Sequence, residues 1–565
     1  MIHLDGSTLE GGGQLVRNAL ALSALAARPV TINNIRGKRN GPRGLRRSHA
    51  AAIQFLAEVC RGRLVGATVG SSEVTFYPPG TEETLPNPGM GEDEKVLSAL
   101  QRSLRLYPLP IASSIQSEYQ IRLTTPGSIF LIFQALYPYL VHAGASLHSK
   151  GESVADVSAS QVIRLTITGG TNISFSPSFD YVSQVLIPNF SKLGLPRLSV
   201  KLNRRGWSSG AVQIGSVSFE IEPLAITSVR KGMAGLSDTR EASQYGMDYL
   251  KQGKSTGDTE SDNLRETNLS SIFPPRFPRI RLDNLDPGYI TRVDITVLAP
   301  DISLQQAASF KHSKQAHQRT RTKGKYGQQR TQSFGKNHYK RTTLLEPEIE
   351  AGESELLEPW PDGGRELDDS SGRQPIRAFL EDAAIKSVTQ ALRPFSDYHT
   401  RATKKSAQGE TPVVKIHTTE PTYDPSHIYI LLVAHTSTGF RLGRGKLYSD
   451  YQSKEKTTTK GRDTNLNPVK NIKAMLQGIV TECVADVMEE FPAMSDAGRQ
   501  DVPGNKTKGC LDTFMRDQVV IFQALGELGE EEEDGKSGHR TEEQGLSLHT
   551  LTAMWVCEQI LGVRV

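Results

Sequence analysis

Strand and helix signatures alternate through the first eighty residues, and this alternation narrows the choice of folds more than any other feature of the 565-residue chain. Met1 to Leu4 is a short strand candidate. Gln14 to Ala27 is rich in Ala and Leu, lacks Gly and Pro, and is expected to be helical. Val30 to Ile35 is β-branched and apolar, as a strand requires. Leu45 to Cys60 reads as a second helix and Glu73 to Tyr77 as another strand. A β-α-β-α-β order calls for a layered α/β sandwich, because each helix must bury its apolar stripe against a sheet or another helix.

The rhythm lapses from about Pro78 to Tyr119, around PNPGMGEDEK, and again from His148 to Ser160. Between and after these stretches come a strand at Ile121 to Leu123 and an apolar helix at Ile129 to Ala143. A strand at Val162 to Ile167, a helix at Phe179 to Leu193 and strands at Leu198 to Leu202 and Val217 to Ile221 follow. The long middle has a different character. Residues 311–343 carry ten Lys or Arg and no acid, whereas residues 346–369 carry ten acids and one Arg. Opposite-sign blocks with little apolar content are expected to stay solvated and disordered. Ile290 to Leu298, Ile376 to Phe395 and Ile428 to His435 are islands of order within the middle, which reads as an insert. Pro468 to Phe491, Met515 to Leu525 and Thr550 to Leu561 are expected helices, and Glu530 to Asp534 an exposed acidic loop.

Composition removes several function classes. Lys plus Arg number 66 against 62 Asp plus Glu, so no global field favours nucleic acid, and any such site must be a local cluster. Cys60, Cys483, Cys510 and Cys557 are too scattered for a metal-ligand spacing and read as reduced thiols of an intracellular protein. The N-terminus lacks the pattern of a signal peptide, and the apolar run at Ile129 to Val141 is too short to span a bilayer.

Several constellations could carry chemistry. EGGGQLVR, Glu10 to Arg17, lies between a strand and a helix. Its glycines permit a sharp turn, the helix start can receive an anion, and Gln14 and Arg17 share a face. Glu10 could hold a metal that bridges phosphates; the plainer alternative is a flexible loop before a core helix. Arg36 to His49 carries Arg36, Lys38, Arg39, Arg43, Arg46, Arg47 and His49 without an acid, which suits phosphate or RNA but also an ordinary solvated loop. In LSLHTLTA, His549 sits just before a helix, where the helix dipole favours a neutral, nucleophilic imidazole; a role-free surface histidine is the alternative. In FMRDQ, Phe514 and Gln518 share a helical face that could stack on and read a base. Asp517 beside them could position a metal or orient the histidine, and an ordinary amphipathic helix is the alternative. GGTNISFSPSFDY leads through Pro177 into a helix, where Pro177 could wall a base pocket or merely start the helix.

Taken together, DGSTLEGGGQLVRNALALSAL, NIRGKR, GGTN, RDQ and LHTLTA occur in the order found in the RNA 3′-terminal phosphate cyclase family, which the chain resembles over roughly residues 1–80, 121–225 and 466–565. HIYILLVAHTSTG carries a weaker match in the middle. The resemblance implies an α/β (α+β sandwich) fold in which repeated βαβ-containing units form a large domain with a smaller inserted α/β domain. The expected division is 1–225 with 466–565 as core and 226–465 as insert, with a disordered charged loop at about 306–372.

The resemblance also implies a reaction: ATP-dependent conversion of an RNA 3′-phosphate to a 2′,3′-cyclic phosphate, through an adenylylated histidine and an RNA-adenylate. By resemblance His549 is the nucleophile, and Glu10 and Asp517 are acids near the metal and phosphates. Gln14, Arg17, Arg36, Arg39 and His49 fall on phosphate-binding positions. Gln134 lies behind the site, while Pro177 and Phe514 wall the adenine pocket with Gln518 beside them. Phe514 replaces a common tyrosine, Ser48 a common glutamine, and RRGWSSGAVQIGS lacks the family's usual glycine run. The implied partners are ATP, a divalent metal (Mg or Mn) and RNA with a 3′-terminal phosphate, with no membrane. The implied location is the nucleus, with the cytoplasm as a second site. A catalytically inactive relative acting in ribosome biogenesis and pre-rRNA processing is the alternative, against which the presence of His549 argues.

Overall fold

The computed structural model describes residues 1–81 (save 40), 115–150, 162–225, 227–229, 271–273, 275–309 (save 287), 373–402, 411–450, 467–491, 509–528 and 546–565. The charged blocks of 311–369, the stretches 82–114 and 151–161 and the acidic run at Glu530 to Asp534 lie outside the described residues.

The N-terminal unit runs β1 (Ile2–Asp5), α1 (Gly13–Ala26), β2 (Val30–Asn33), α2 (Arg47–Cys60), β3 (Arg63–Val65) and β4 (Val74–Tyr77). Its sheet order is β1-β2-β4-β3, with β1 and β2 parallel and the other pairs antiparallel. The next unit repeats the plan. It comprises β5 (Glu118–Arg122), α3 (Ile129–Ala143), β6 (Ile163–Gly169), the helical segment α4 (Phe179–Tyr181), a π turn (Val182–Leu186) and α5 (Ile187–Lys192), then β7 (Leu198–Arg204) and β8 (Gly215–Ile221). Its order, β5-β6-β8-β7, has the same parallel and antiparallel pairings. No repeat is visible in the letters of the sequence, so the backbone reveals a duplication that the side chains conceal.

Strand periodicity explains the two layers. In β6 and β8 every second residue is buried, so one face of the sheet covers the helices. The helices meet in a common core: Leu15 and Leu22 of α1, Ile53 of α2, Phe133 and Leu136 of α3. α8 (Thr513–Gly526) adds Val519 and Phe522, and α9 (Leu548–Leu561) adds Val556 and Ile560. A short antiparallel pair, β9 (Thr227–Val229) and β10 (Ser271–Phe273), stands apart from these sheets. The helical stretch Ile129–Leu147 proves long and apolar enough to cross a membrane by length and composition. That corrects the shorter run read from the sequence; here 89% of its apolar window is buried inside the protein, as in a core helix.

The middle of the chain builds β11 (Ile290–Pro300), α6 (Ile376–Ala402), β12 (Val413–Thr422), β13 (Tyr429–Thr436) and β14 (Arg441–Leu447), in sheet order β12-β11-β13-β14. β13 reads as an unbroken apolar run because it is covered on both faces. Ile430, Leu432 and Ala434 pack with α6, whereas Tyr429, Leu431 and Val433 join the larger core. α7 (Pro468–Met488), placed with the core by sequence, buries Ile472, Leu476, Ile479 and Cys483 in the second cluster, against the same sheet.

Polar contacts fasten the sheet to the second unit. Arg205 forks between Asp180 and Glu420, and Gln184 Nε2 in the π turn donates to Thr296 Oγ1 at 2.9 Å. Asn189 exchanges two hydrogen bonds with the Arg441 backbone. All four cysteines are free and buried, and burial raises their thiol pKa values to about 11 to 12.

Candidate active site

The loop between β1 and α1 carries Glu10. Gly11 takes a left-handed φ of +60°, and a Cβ at Gly13 would overlap the His49 imidazole of α2. Both glycines are therefore required by geometry. Gly12 stands at the cap of α1 with no side-chain bond, so the N–H groups of the helix's first turn keep no side-chain oxygen. One turn in, Arg17 is buried to 7% exposure and its Nε has no partner. Burial without a counter-charge pulls its pKa down to about 10. The Nε atoms of Arg36 and Arg39 are likewise buried and unpartnered. Arg36 holds a left-handed φ of +61°.

These guanidiniums act on their neighbours. His49 is buried, and desolvation reinforced by Arg17, Arg36 and Arg46 depresses its pKa to about 3. A fixed-neutral imidazole among cations acts as a polar wall rather than an additional positive charge. A concentration of unpaired guanidinium donors with a fork geometry suits an anion with several oxygens.

The histidine singled out by the sequence faces this cradle. His549 does not precede its helix as expected; it is the second residue of α9, because Ser547 takes the cap and accepts from Thr550 N at 3.0 Å. His549 Nδ1 donates to Gln14 Oε1 at 2.8 Å, which leaves Nε2 with its lone pair free. Nε2 lies 3.8 Å from Glu10 Oε1. The His549 side chain is 52% exposed. Its pKa is lowered, chiefly by desolvation; Asp517 opposes this, and Arg39 and Arg17 reinforce it. The imidazole is thus neutral, oriented and half-exposed.

Gln14, rather than Asp517, sets the ring's orientation. Asp517 accepts from Thr550 Oγ1 at 2.6 Å and Ser547 Oγ at 3.0 Å, and so locks the start of α9 to α8. Burial raises the Asp517 pKa. Thr552 supports the same arrangement from below by accepting from Glu10 N at 3.2 Å. Beside this cluster a crevice is lined by Gln14, Asn18, Gln134, Asp517, Gln518 and Phe522.

Phe514 forms a separate wall. It is 52% exposed, meets the Tyr181 ring edge-on at 6.3 Å, and has the Arg444 guanidinium 4.5 Å from its ring centre. Pro177 immediately precedes Ser178, whose hydroxyl caps α4 by accepting from Tyr181 N at 3.0 Å. Pro177 and Phe514 are therefore related through Tyr181. Asp512, fully buried, ties this wall together by accepting from Tyr181 Oη at 2.8 Å and from the Gly443 N–H at 2.9 Å. Arg444, Tyr181, Asp512 and Thr552 were not singled out in the sequence. Thr552 and Ser547 had a signal, the hydroxyl spacing within LSLHTLTA; Arg444 had none, since it arrives from the insert.

Glu10 bears on metal binding. One of its oxygens contacts Arg39, while Oε2 is buried without a partner. No group of three His, Cys, Asp or Glu able to hold a metal is found among the described residues. This donor set fits a hard ion held by one carboxylate, with the other ligands coming from phosphate and water.

A neutral histidine on a helix start, facing arginines whose Nε atoms are unpartnered across repeated βαβ units, defines an α/β protein with an oriented imidazole beside a cationic cradle. The family model described as RTC, RNA 3′-terminal phosphate cyclase, matches residues 8–565, and the chain belongs to that family. A protein named RNA 3′-terminal phosphate cyclase in Desulfurococcus amylolyticus is 33% identical over 237 residues, 41% of this chain and 52% of that protein. One of the same name in Pyrococcus furiosus is 35% identical over 224 residues, covering 39% and 51%. The one in Methanosarcina mazei is 29% identical over 297 residues, covering 52% and 69%. The chain spans about half the length of most of these curated relatives in the matched regions.

Proposed function

We propose that the protein is an RNA 3′-terminal phosphate cyclase that uses His549 as its nucleophile. The observation that carries this reading is the His549 Nδ1 to Gln14 Oε1 bond of 2.8 Å, which leaves Nε2 unprotonated near Arg17 and Arg39, whose Nε atoms are unpartnered. Nε2 attacks the α-phosphorus of ATP; a P–N bond forms, the bond to the bridging oxygen breaks, and pyrophosphate leaves. An oxygen of the RNA 3′-phosphate then displaces the histidine and gives an RNA-adenylate. The neighbouring 2′-hydroxyl attacks the 3′-phosphorus, loses its proton and expels AMP, leaving a 2′,3′-cyclic phosphate.

This chain's residues supply positioning and charge. Arg17, Arg36 and Arg39 receive the negative charge that shifts between phosphate oxygens as the bonds exchange. His49 stays neutral and adds no competing proton. Gln14 holds the reactive tautomer of His549. Phe514, with Pro177 on the neighbouring helix start, offers a face to adenine, and Gln134 and Gln518 line the crevice behind. Glu10 would hold a Mg or Mn ion, which supplies charge neutralisation of the phosphates when bound. The proposed location is the nucleus, with the cytoplasm as a second site.

Incubation with α-labelled ATP and Mg is expected to give a covalent AMP adduct that is absent in His549→Ala. Subsequent addition of RNA ending in a 3′-phosphate is expected to make its ends resistant to phosphatase. A folded wild-type protein that never takes label would sink the reading and favour an inactive relative working in ribosome biogenesis. Label retained in His549→Ala would move the nucleophile elsewhere.

A further inference from the structure

Phe175 is 97% exposed and holds a left-handed φ of +59°. Either feature alone is unfavourable for a bulky aromatic residue: the ring forgoes burial, and the backbone region disfavours a Cβ. Their coincidence at one residue calls for a cause, and the loop around it is not loose. Ser174 Oγ on one side meets Ser449 Oγ of the insert at 3.4 Å. Ser176 on the other side hydrogen-bonds Ser128, the cap of α3. The chain is pinned before and after Phe175, and the ring is held outward between the pins.

The position of the loop identifies what the ring faces. Ser128 follows Gly127, which lies against the Ser48 side chain, next to His49 of the oxyanion cradle. Exposed Arg46 and Arg47 stand at the same helix start. On its other side Phe175 leads through Pro177 and Ser178 to Tyr181 and the Phe514 wall. The loop that carries the ring is therefore linked on one side, through Ser176, Ser128 and Gly127, to the helix start that bears the arginines, and on the other, along the chain, to the Phe514 wall. An outward aromatic and exposed arginines on linked loops are the groups with which proteins take up single-stranded nucleic acid, one stacking on a base while the others follow the phosphates.

We propose that Phe175 is the stacking platform for an unpaired base near the 3′ end of the RNA strand, and that it acts on RNA rather than on ATP. The inference rests on the reading of the protein as an RNA-end enzyme, and the test separates the two. Binding of a fluorescent single-stranded RNA with a 3′-phosphate is measured beside AMP-adduct formation from labelled ATP. Phe175→Ala is expected to weaken RNA binding about tenfold, in keeping with the loss of one base stack, and to leave the adduct rate unchanged. Phe175→Trp is expected to bind RNA at least as tightly as the wild type. RNAs abasic at one 3′-proximal position at a time should show, at one position, no difference between wild type and Phe175→Ala. Phe175→Gly removes the ring and relieves the backbone, so it should match Phe175→Ala in RNA binding while melting at a higher temperature.

Equal RNA affinity in wild type, Phe175→Ala and Phe175→Gly, with all three folded, would overturn the proposal. A slower adduct rate in Phe175→Ala with unchanged RNA affinity would also overturn it, by assigning the ring to ATP. RNA binding that responds to Phe175 in a protein that forms no adduct would uphold the platform and defeat the cyclase reading alone.

Discussion

The two four-stranded units share one backbone plan and use it in opposite ways. In the first, Gly12 stands at the cap of α1 with no side-chain bond, and the fifth residue of the helix is Arg17. In the second, α3 is capped by Ser128, which accepts from Leu131 N at 3.1 Å, and its fifth residue is Phe133. Arg17 is buried with an orphan Nε, whereas Phe133 is stacked on Phe219 with ring centres 4.3 Å apart. The next helices differ in charge rather than in pairing: the third residue of α2 is His49, which accepts from Arg46 N and lies among arginines, and that of α4 is Tyr181, whose hydroxyl donates to Asp512. The first unit leaves buried guanidinium nitrogens unpartnered around its helix starts; the second caps α3 and α4 with serines and fills the space with aromatics, its own unpartnered buried atoms being neutral ones such as Tyr137 Oη and Gln184 Oε1. A duplicated scaffold can thus hold an unfavourable cluster of cations in one copy because the other supplies an ordinary core.

The sharpest way to break that contrast is to exchange the character of the fifth positions. Arg17→Met removes a buried cation whose Nε has no partner among the described residues. AMP-adduct formation is expected to fall by about 100-fold or more, a typical cost for losing a charge-stabilising donor. The melting temperature should not fall, since an unpaired buried charge costs stability. Phe133→Ala should do the reverse in stability, losing about 3–5 kcal/mol in denaturant unfolding. An Arg17→Met protein that unfolds as readily as Phe133→Ala would show that Arg17 has a structural partner and that the contrast is false.

Buried histidines offer a second comparison. His49 in the first unit is depressed to about 3 by burial and three arginines; His142 in the second is depressed to about 4 by burial alone. Both are held below the ordinary value of 6.5, so the folded state binds fewer protons than the unfolded one between those limits. The stability they contribute is complete above pH 6.5 and is lost as pH falls towards 3 and 4 respectively. His49→Gln and His142→Gln should each flatten the fall in melting temperature across that acid range. Pyrophosphate separates them. Its charge offsets the arginines, so an NMR titration should show the His49 pKa rising on its addition while that of His142 stays fixed. Equal responses would mean that the cradle does not receive the anion.

How far these features were legible follows from where their causes lie. Helices and strands with a local pattern, such as α3 and β13, stand out because a long apolar run is itself the signal. β12 and β14 do not. β12 alternates exposed and half-buried residues along VVKIHTTEPT at a sheet edge, and β14 carries glycines and arginines that its neighbours accommodate. The repeated units were implied by the family resemblance and not by the letters themselves, because similar backbones carry different chemistry. Within the site, Glu10, Gln14, Arg17 and His549 could be named from motifs, yet the bond between Gln14 and His549 spans 535 residues of sequence. Its consequence, a fixed tautomer, exists only once α1 and α9 pack together.

The smallest effect tests the capped unit alone. Ser128→Ala removes the bond to Leu131 N and the contact with Ser176. A lost serine cap costs about 1 kcal/mol, read as a modest drop in the denaturation midpoint. Adduct formation should be unchanged, because neither Ser128 nor α3's first turn touches the cradle's unpaired atoms. RNA affinity should fall slightly, by less than in Phe175→Ala, since one of the two pins that hold Phe175 outward is gone and the ring samples other orientations. If adduct formation fell instead, the second unit's helix start would be part of the oxyanion cradle, and the division between a cationic unit and a capped one would have to be redrawn.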